Sequence, residues 1–206
     1  MSQKKRMLAG KLYKVEGETL YNAHKKSKRL LDAFNATEFE ESDDRLAIIT
    51  ELFGSFGKRG FITPPFHCDY GMNISIGDDF FANYDCIFLD VNRIVIGDRV
   101  MFGPRVSLLT AAHPVDKAVR SAGLEYGLPI HIGDDVWLGG NVTVNPGVSI
   151  GDDVVIGSGS VVTKDIPTGV VAAGNPCRVI REITDEDKRY WEDQKALYEK
   201  DMGSLE

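Results

Sequence analysis

From Ile132 onward the chain divides into sixes: IGDDVW, LGGNVT, VNPGVS, IGDDVV, IGSGSV, VTKDIP. The first position is always aliphatic, at Ile132, Leu138, Val144, Ile150, Ile156 and Val162. The fifth is β-branched at Val136, Val142, Val148, Val154 and Ile166, with Ser160 the exception. IGDRVM, FGPRVS and LLTAAH, starting at Ile96, Phe102 and Leu108, keep the same phase upstream, and ISIGDDFFAN (74–83) is a weaker first copy. A helix would scatter residues six apart around its circumference, whereas an even period holds them on one face of extended chain. A Gly, Asp or Asn after the aliphatic residue lets the chain bend at low steric cost. Each hexapeptide therefore reads as one short strand and one corner. Three of them close a triangle, and stacked triangles pair as parallel β about 4.8 Å apart. The aliphatic side chains fill the prism, each worth roughly 1.5–3 kcal/mol when buried. Neighbouring coils satisfy each other's backbone groups, so several are needed.

The flanks differ. In residues 1–60, ETLYNAHKKSKRLLDAFN and SDDRLAIITELFGSF space apolar residues at three and four, as helices do, with Ser42 expected to cap the second. Residues 61–183 form the repeat domain, and 184–206 a helical tail opening on a capping box, Thr184 with Asp187. The chain's 206 residues, 43% hydrophobic, suit one domain with a helical appendage. A net charge of -7 argues against non-specific nucleic-acid binding, though a local basic site stays open. No run is long enough to span a bilayer, and no apolar leader follows the basic start. A cytoplasmic protein is expected, with NAT, NIS and NVT as chance sequons. Cys68, Cys86 and Cys177 have neither metal nor redox spacing and read as idle thiols.

Several motifs are decoys. GVSIG (147–151) matches G-x-S-x-G, yet no helix follows, and Ser149 is the sixth residue of a hexapeptide. The recurrent IGDD reads as solvated turn residues. The four histidines, His24, His67, His113 and His131, lack metal-ligand spacing, so no metal is expected. The repeat breaks once, at PVDKAVRSAGLEYGLP (114–129), then resumes in phase. A long excursion from a rigid solenoid is more often functional than accidental. His113 stands at its root, where the coil completes its hexapeptide before leaving the prism at Pro114. Imidazole titrates near pH ~6.5, which suits a general base.

MLAGKLY, CDYGMNISIGDDFFANYDCIFLDV, TAAHPVD and the long stretch from IGDDVW to NPCRVIREI together resemble the maltose and galactoside O-acetyltransferases, across about residues 5–183. The motifs sit nearest the maltose enzymes. The resemblance implies a mainly β fold, a left-handed parallel β-helix, and a homotrimer with active sites between subunits. It implies acetyl-CoA as co-substrate, a sugar as acceptor, and His113 as catalytic base. Asp69, Asn83 and Asp90 take the sugar-contacting positions. The family's N-terminal acidic sugar ligand has no clean match; Glu16 is nearest. The residues matching the coenzyme side are Trp137, Gly140, Ser158, Thr163, Lys164, Arg178 and Arg181. Glu125, inside the excursion, is a candidate to orient His113. A non-sugar acceptor such as an antibiotic or serine, and a non-catalytic β-helix scaffold, remain the alternatives.

Overall fold

The computed structural model describes residues 1–38 and 40–203; Ser204, Leu205 and Glu206 of the GSLE end lie outside them. Helices α1 (Gln3–Leu8), α2 (Glu18–Asn35) and α3 (Ser42–Leu52) lead into short parallel strands that wind round a prism of about six coils. Its first face stacks Ser55–Phe56, Ile74–Ile76, Ile94–Ile96, Ile130–Ile132 and Ser149–Ile150. The second begins at Phe61–Ile62 and ends at Val170–Ala173, with Arg178–Glu182 added antiparallel. The third runs from Phe66–Cys68 to Val161–Val162. The core is the one the repeat predicts: Leu138, Val144, Val142, Val154 and Val162 are wholly buried.

The corners show why the second residue of the repeat is glycine. Positive φ falls on the fourth residue, at Asp79, Arg99, Asp135 and Asp153, and not on Gly77, Gly97, Gly133 or Gly151. Those glycines are needed for close approach. A Cβ on Gly97 would strike the Asp134 carboxylate of the next coil, and one on Gly133 would strike Asp152. The aspartates of IGD form a staircase. The Oδ1 of Asp98 accepts from Asp78 N–H at 2.7 Å, Asp134 from Asp98 at 2.8 Å, and Asp152 from Asp134 at 2.8 Å. Ser160, the exception at the fifth position, is fully buried; its hydroxyl donates to the Gly157 carbonyl and accepts from Gly174 N–H at 3.0 Å. It ties the exit loop to the last full coil.

α2 and α3 close one end of the prism. Leu30, Leu31, Phe34, Ile49 and Leu52 join the main core, and the Asn35 side chain bonds both backbone groups of Phe66. Ser42 is not the cap of α3. It is the first helical residue, and Glu41 occupies the cap position with no side-chain bond to the helix. The Glu41 carboxylate is instead turned back to Glu38 N–H, at 2.7 Å. The capping box of the tail does form, with Thr184 N–H on the Asp187 carboxylate at 2.9 Å and Asp187 N–H on the Thr184 hydroxyl at 3.4 Å. The helix it starts, Asp185–Gly203, buries none of its described residues. No helix among the described residues is long and apolar enough to cross a membrane.

Candidate active site

The departures from the six-residue rule gather on one edge, where the third face turns into the first. From Asp134 to Asp152 the staircase steps 18 residues per coil, but from Asp78 to Asp98 it steps 20. The extra residues fall after Cys68 and after Phe88, at Asp69–Asn73 and Asp90–Asn92. One coil later the excursion leaves from the same edge, stretching the step from Asp98 to Asp134 to 36. Asp69, Asp90 and the root of the excursion are therefore stacked in successive coils.

The excursion departs earlier than the repeat suggests. Ala111–Ala112 already pairs antiparallel with Tyr126–Gly127, so His113 stands at the far end of a two-stranded ribbon and not at a coil corner. Beyond it, Asp116 caps the short helix α4 (Lys117–Ser121) by accepting from Val119 N–H. Two buried polar residues pin the ribbon's base. Thr110 donates its hydroxyl to Leu89 O at 2.6 Å and accepts from Asn92 N–H at 2.9 Å. The Asn92 amide reaches Gly127 O at 2.7 Å and Met7 O at 3.3 Å, tying ribbon, coil and α1 together. Neither residue stands out in the sequence. The two residues added to the coil at Asp90–Asn92 are the only linear trace of this pin.

The N-terminal segment supplies the floor. Tyr13, Met7, Leu20, Tyr70 and Val91 form a second small core beside the edge. Tyr13 and Glu125 bond each other's backbone in both directions, at 2.9 and 3.1 Å, and the Tyr13 hydroxyl donates to Glu125 Oε1. Burial, then the Glu125 carboxylate, pushes the Tyr13 phenol far above its ordinary range, so it stays a donor. The other Glu125 oxygen lies 3.9 Å from His113 Nε2. Asp69 is partly buried, and desolvation raises its pKa; its carbonyl meets His24 Nδ1 at 3.2 Å. Asp90 is fully buried, its carboxylate bonded to the N–H groups of Asp69, Tyr70 and Asn73 at 3.1, 2.8 and 3.2 Å. It shapes the turn that presents Asp69 and offers no open oxygen of its own. Glu16 is exposed, 3.8 Å from Lys14 Nζ, and outside this cluster.

The remaining sequence-derived positions lie elsewhere on the prism. Asn83, Gly140 and Ser158 occupy corners of the edge between the second and third faces. Trp137 looks outward from the second face and is 54% exposed. Thr163 and Lys164 are exposed on the third-to-first edge, above the excursion. Arg178 and Arg181 are on the terminal antiparallel strand, where Arg181 grips both oxygens of Asp187 at 2.6 and 2.8 Å. One chain thus brings His113, Asp69, Asp90 and Glu125 together and leaves Asn83, Trp137, Gly140 and Ser158 on other sides. Among the described residues no three His, Cys, Asp or Glu side chains converge as a metal site.

Residues 6–57 match the maltose acetyltransferase hexapeptide capping motif, and residues 129–164 the bacterial transferase hexapeptide (six repeats). The chain is 45% identical over 191 residues to the galactoside O-acetyltransferase of Escherichia coli, covering 93% of this chain and 94% of that one. It belongs to the maltose and galactoside O-acetyltransferase family. The crystal structure of a maltose O-acetyltransferase from Clostridium difficile 630 superposes with a TM-score of 0.88 at 53% identity, over 89% of this chain and 98% of that one. A galactoside acetyltransferase in complex with coenzyme A gives 0.89 at 45% identity, over 91% and 94%. The capping-motif match runs from Arg6 in α1 through α3 to Gly57, and the repeat match covers the coils from Pro129 to Lys164.

Proposed function

We propose that the chain transfers the acetyl group of acetyl-CoA to a hydroxyl, the 6-OH, of a sugar such as maltose, glucose or a galactoside. His113 is the general base. Its ring takes the hydroxyl proton, the oxygen attacks the thioester carbonyl, and the tetrahedral intermediate expels the CoA thiolate. The proton then passes from the ring to the departing sulfur, so no acyl-enzyme forms. The strongest support is the lengthened edge, which stacks Asp69 and Asp90 against the ribbon that carries His113. Asp69, held by Asp90, is the carboxylate offered to the sugar; polyols need groups that accept and donate hydrogen bonds.

The coenzyme side is assigned to Trp137, Gly140, Ser158, Thr163, Lys164, Arg178 and Arg181. The backbone N–H of Gly140 is the group available to a developing oxyanion. Lys164, Arg178 and Arg181 supply cations for the coenzyme's phosphates in a chain of net charge -7. Arg181 is exposed, and an exposed ion pair is weak enough for a polyanion to displace Asp187. Because one chain spreads these residues round three sides of the prism, the complete site lies between neighbouring chains of a homotrimer, with Asn83 reaching the sugar from the adjoining copy. Buried free thiols at Cys68, Cys86 and Cys177 fit a cytoplasmic enzyme.

A thiol-release assay with acetyl-CoA against a panel of glucosides, galactosides, free sugars and amino-acid acceptors tests the acceptor class. Sugars are expected to support turnover and serine is not. Replacing His113 with Ala is expected to lower turnover at least ~10²-fold while the assembly persists. Near-wild-type transfer by that variant overturns the mechanism.

A further inference from the structure

We infer that Asn92 and Thr110 are positioning residues for His113: they fix the angle at which the ribbon leaves the prism, and with it the place of the ring relative to Asp69. The inference rests on His113 being the base. The ribbon cannot set that angle by itself. It pairs Ala111 with Gly127 and Ala112 with Tyr126, and a two-stranded ladder that short is marginal alone. At roughly 3.4 Å per residue of extended chain, His113 stands about 10 Å from Thr110. A tilt of about 6° at Thr110 therefore carries the ring about 1 Å, a misplacement large enough to cost ~10²-fold in rate.

The anchor lies at the root. Thr110 and Asn92 are 0% and 2% exposed, so water cannot replace the bonds they make. The Thr110 hydroxyl donates to Leu89 O and accepts from Asn92 N–H. The Asn92 amide donates to Gly127 O and Met7 O, and its oxygen accepts Arg93 N–H at 2.8 Å. Thr110 directly precedes Ala111, and Gly127 is the strand partner of Ala111, so both strands are gripped at the first pair of the ribbon. A buried polar network with every group satisfied holds one geometry. The same insert holds the acid. Asp90, two residues before Asn92, accepts the N–H groups of the turn that carries Asp69. Val91 between them packs with Tyr70, and a Cβ on Gly127 would stand 2.5 Å from its Cγ2. Three consecutive residues thus gauge the base against the acid. Such a gauge acts on the reacting geometry, hence on kcat, while both substrates keep their own contacts.

The test measures kcat and both KM values by thiol release, with amide hydrogen exchange over residues 111–128. Thr110→Val keeps the shape and loses the hydroxyl. It and Asn92→Ala are each expected to lose about 10- to 100-fold in kcat, with both KM values within about threefold of wild type. Exchange over 111–128 is expected to quicken in both, while the coils from Ile130 onward stay protected. Thr110→Ser, which restores the hydroxyl, is expected to recover most of the loss. The double variant should lose little more than the worse single one, since both act through one anchor. Gly127→Ala leaves both side chains in place and pushes the ribbon off Val91, so it should lose kcat in the same way; it carries the test if either of the others fails to fold. Wild-type kcat in these variants, a loss carried by KM, or a Thr110→Ser enzyme as slow as Thr110→Val each overturns the inference. If His113→Ala is inactive while these variants turn over at the full rate, this inference fails and the base assignment stands. If His113→Ala is fully active, both fail.

Discussion

Asp90 is a charged residue type in a fully buried place, and its cost depends on pH. Desolvation pushes its pKa up to about 7, against the pull of the backbone N–H groups that it accepts. The unfolded carboxyl titrates near ~4, so between these two values the folded state binds more protons than the unfolded one. Stability from this site is therefore greatest below pH ~4 and declines as pH rises to about 7, where the loss is complete. Asn at this position does not titrate, but its amide turns a donor toward N–H groups. Asp90→Asn is thus expected to be destabilised throughout, with the deficit shrinking by up to a few kcal/mol from pH 5 to pH 8. Urea unfolding of both proteins at the two pH values checks it; a deficit that grows with pH refutes the assignment. From sequence, Asp69 and Asp90 look alike as sugar-contacting acids. Only the fold separates the half-buried acid from the buried one that holds its turn, because burial is a property of the stack.

At the scale of the coil, much of the architecture is legible in the sequence. The aliphatic first position and β-branched fifth position follow from filling a prism, a local rule repeated in phase. What stayed hidden follows from pairs distant in the chain. The coils of 20 residues broke the six-residue phase, so the upstream copy looked weak, although Ile74–Ile76 and Ile94–Ile96 pair as regularly as any later coil. His113 looked like a corner because Ala111 and Ala112 continue the hexapeptide, and their pairing with Tyr126–Gly127 crosses the excursion. The glycines of IGD were legible as residues but not in their reason. A turn glycine with positive φ would tolerate an added methyl poorly through backbone strain; Gly133 tolerates it poorly because Asp152 of the next coil is in the way. Gly133→Ala is expected to cost about 1–3 kcal/mol, the range for overpacking. Removing the obstructing carboxylate as well, in Gly133→Ala with Asp152→Ala, recovers only part, since the backbone of Gly151 and Asp152 lies 2.9 Å from the same Cβ. Urea midpoints of the two variants give the comparison, and full recovery would put the clash in the side chain alone.

Across the whole molecule, the three faces differ in what they show to solvent. Outward residues of the first face are Ser55, Ser75, Val95, His131 and Ser149, and of the third His67, Ile87, Ser107, Thr143 and Val161. The second face instead presents Phe61, Phe81, Met101, Trp137, Val155 and Val171 in one register column, apolar through every coil. Met101 and Trp137 are more than half exposed, and Phe61 and Phe81 stack with centroids 6.3 Å apart. A continuous apolar stripe of this kind marks an interaction surface. A closed ring of three copies, each laying this face beside the ribbon edge of the next, would cover the stripe and bring Trp137 and Asn83 of one chain to His113 of its neighbour. Met101→Glu puts a charge in the middle of the column, beside Trp137. Sedimentation equilibrium is expected to show the proposed trimer for the parent chain and monomer for the variant. On the proposed division of the site between chains, acetyl transfer should fall with it, by at least ~10²-fold, the scale of losing the positioned groups. A monomeric variant with full activity would mean that one chain holds a complete site, and the division of the site among three sides of the prism would lose its meaning.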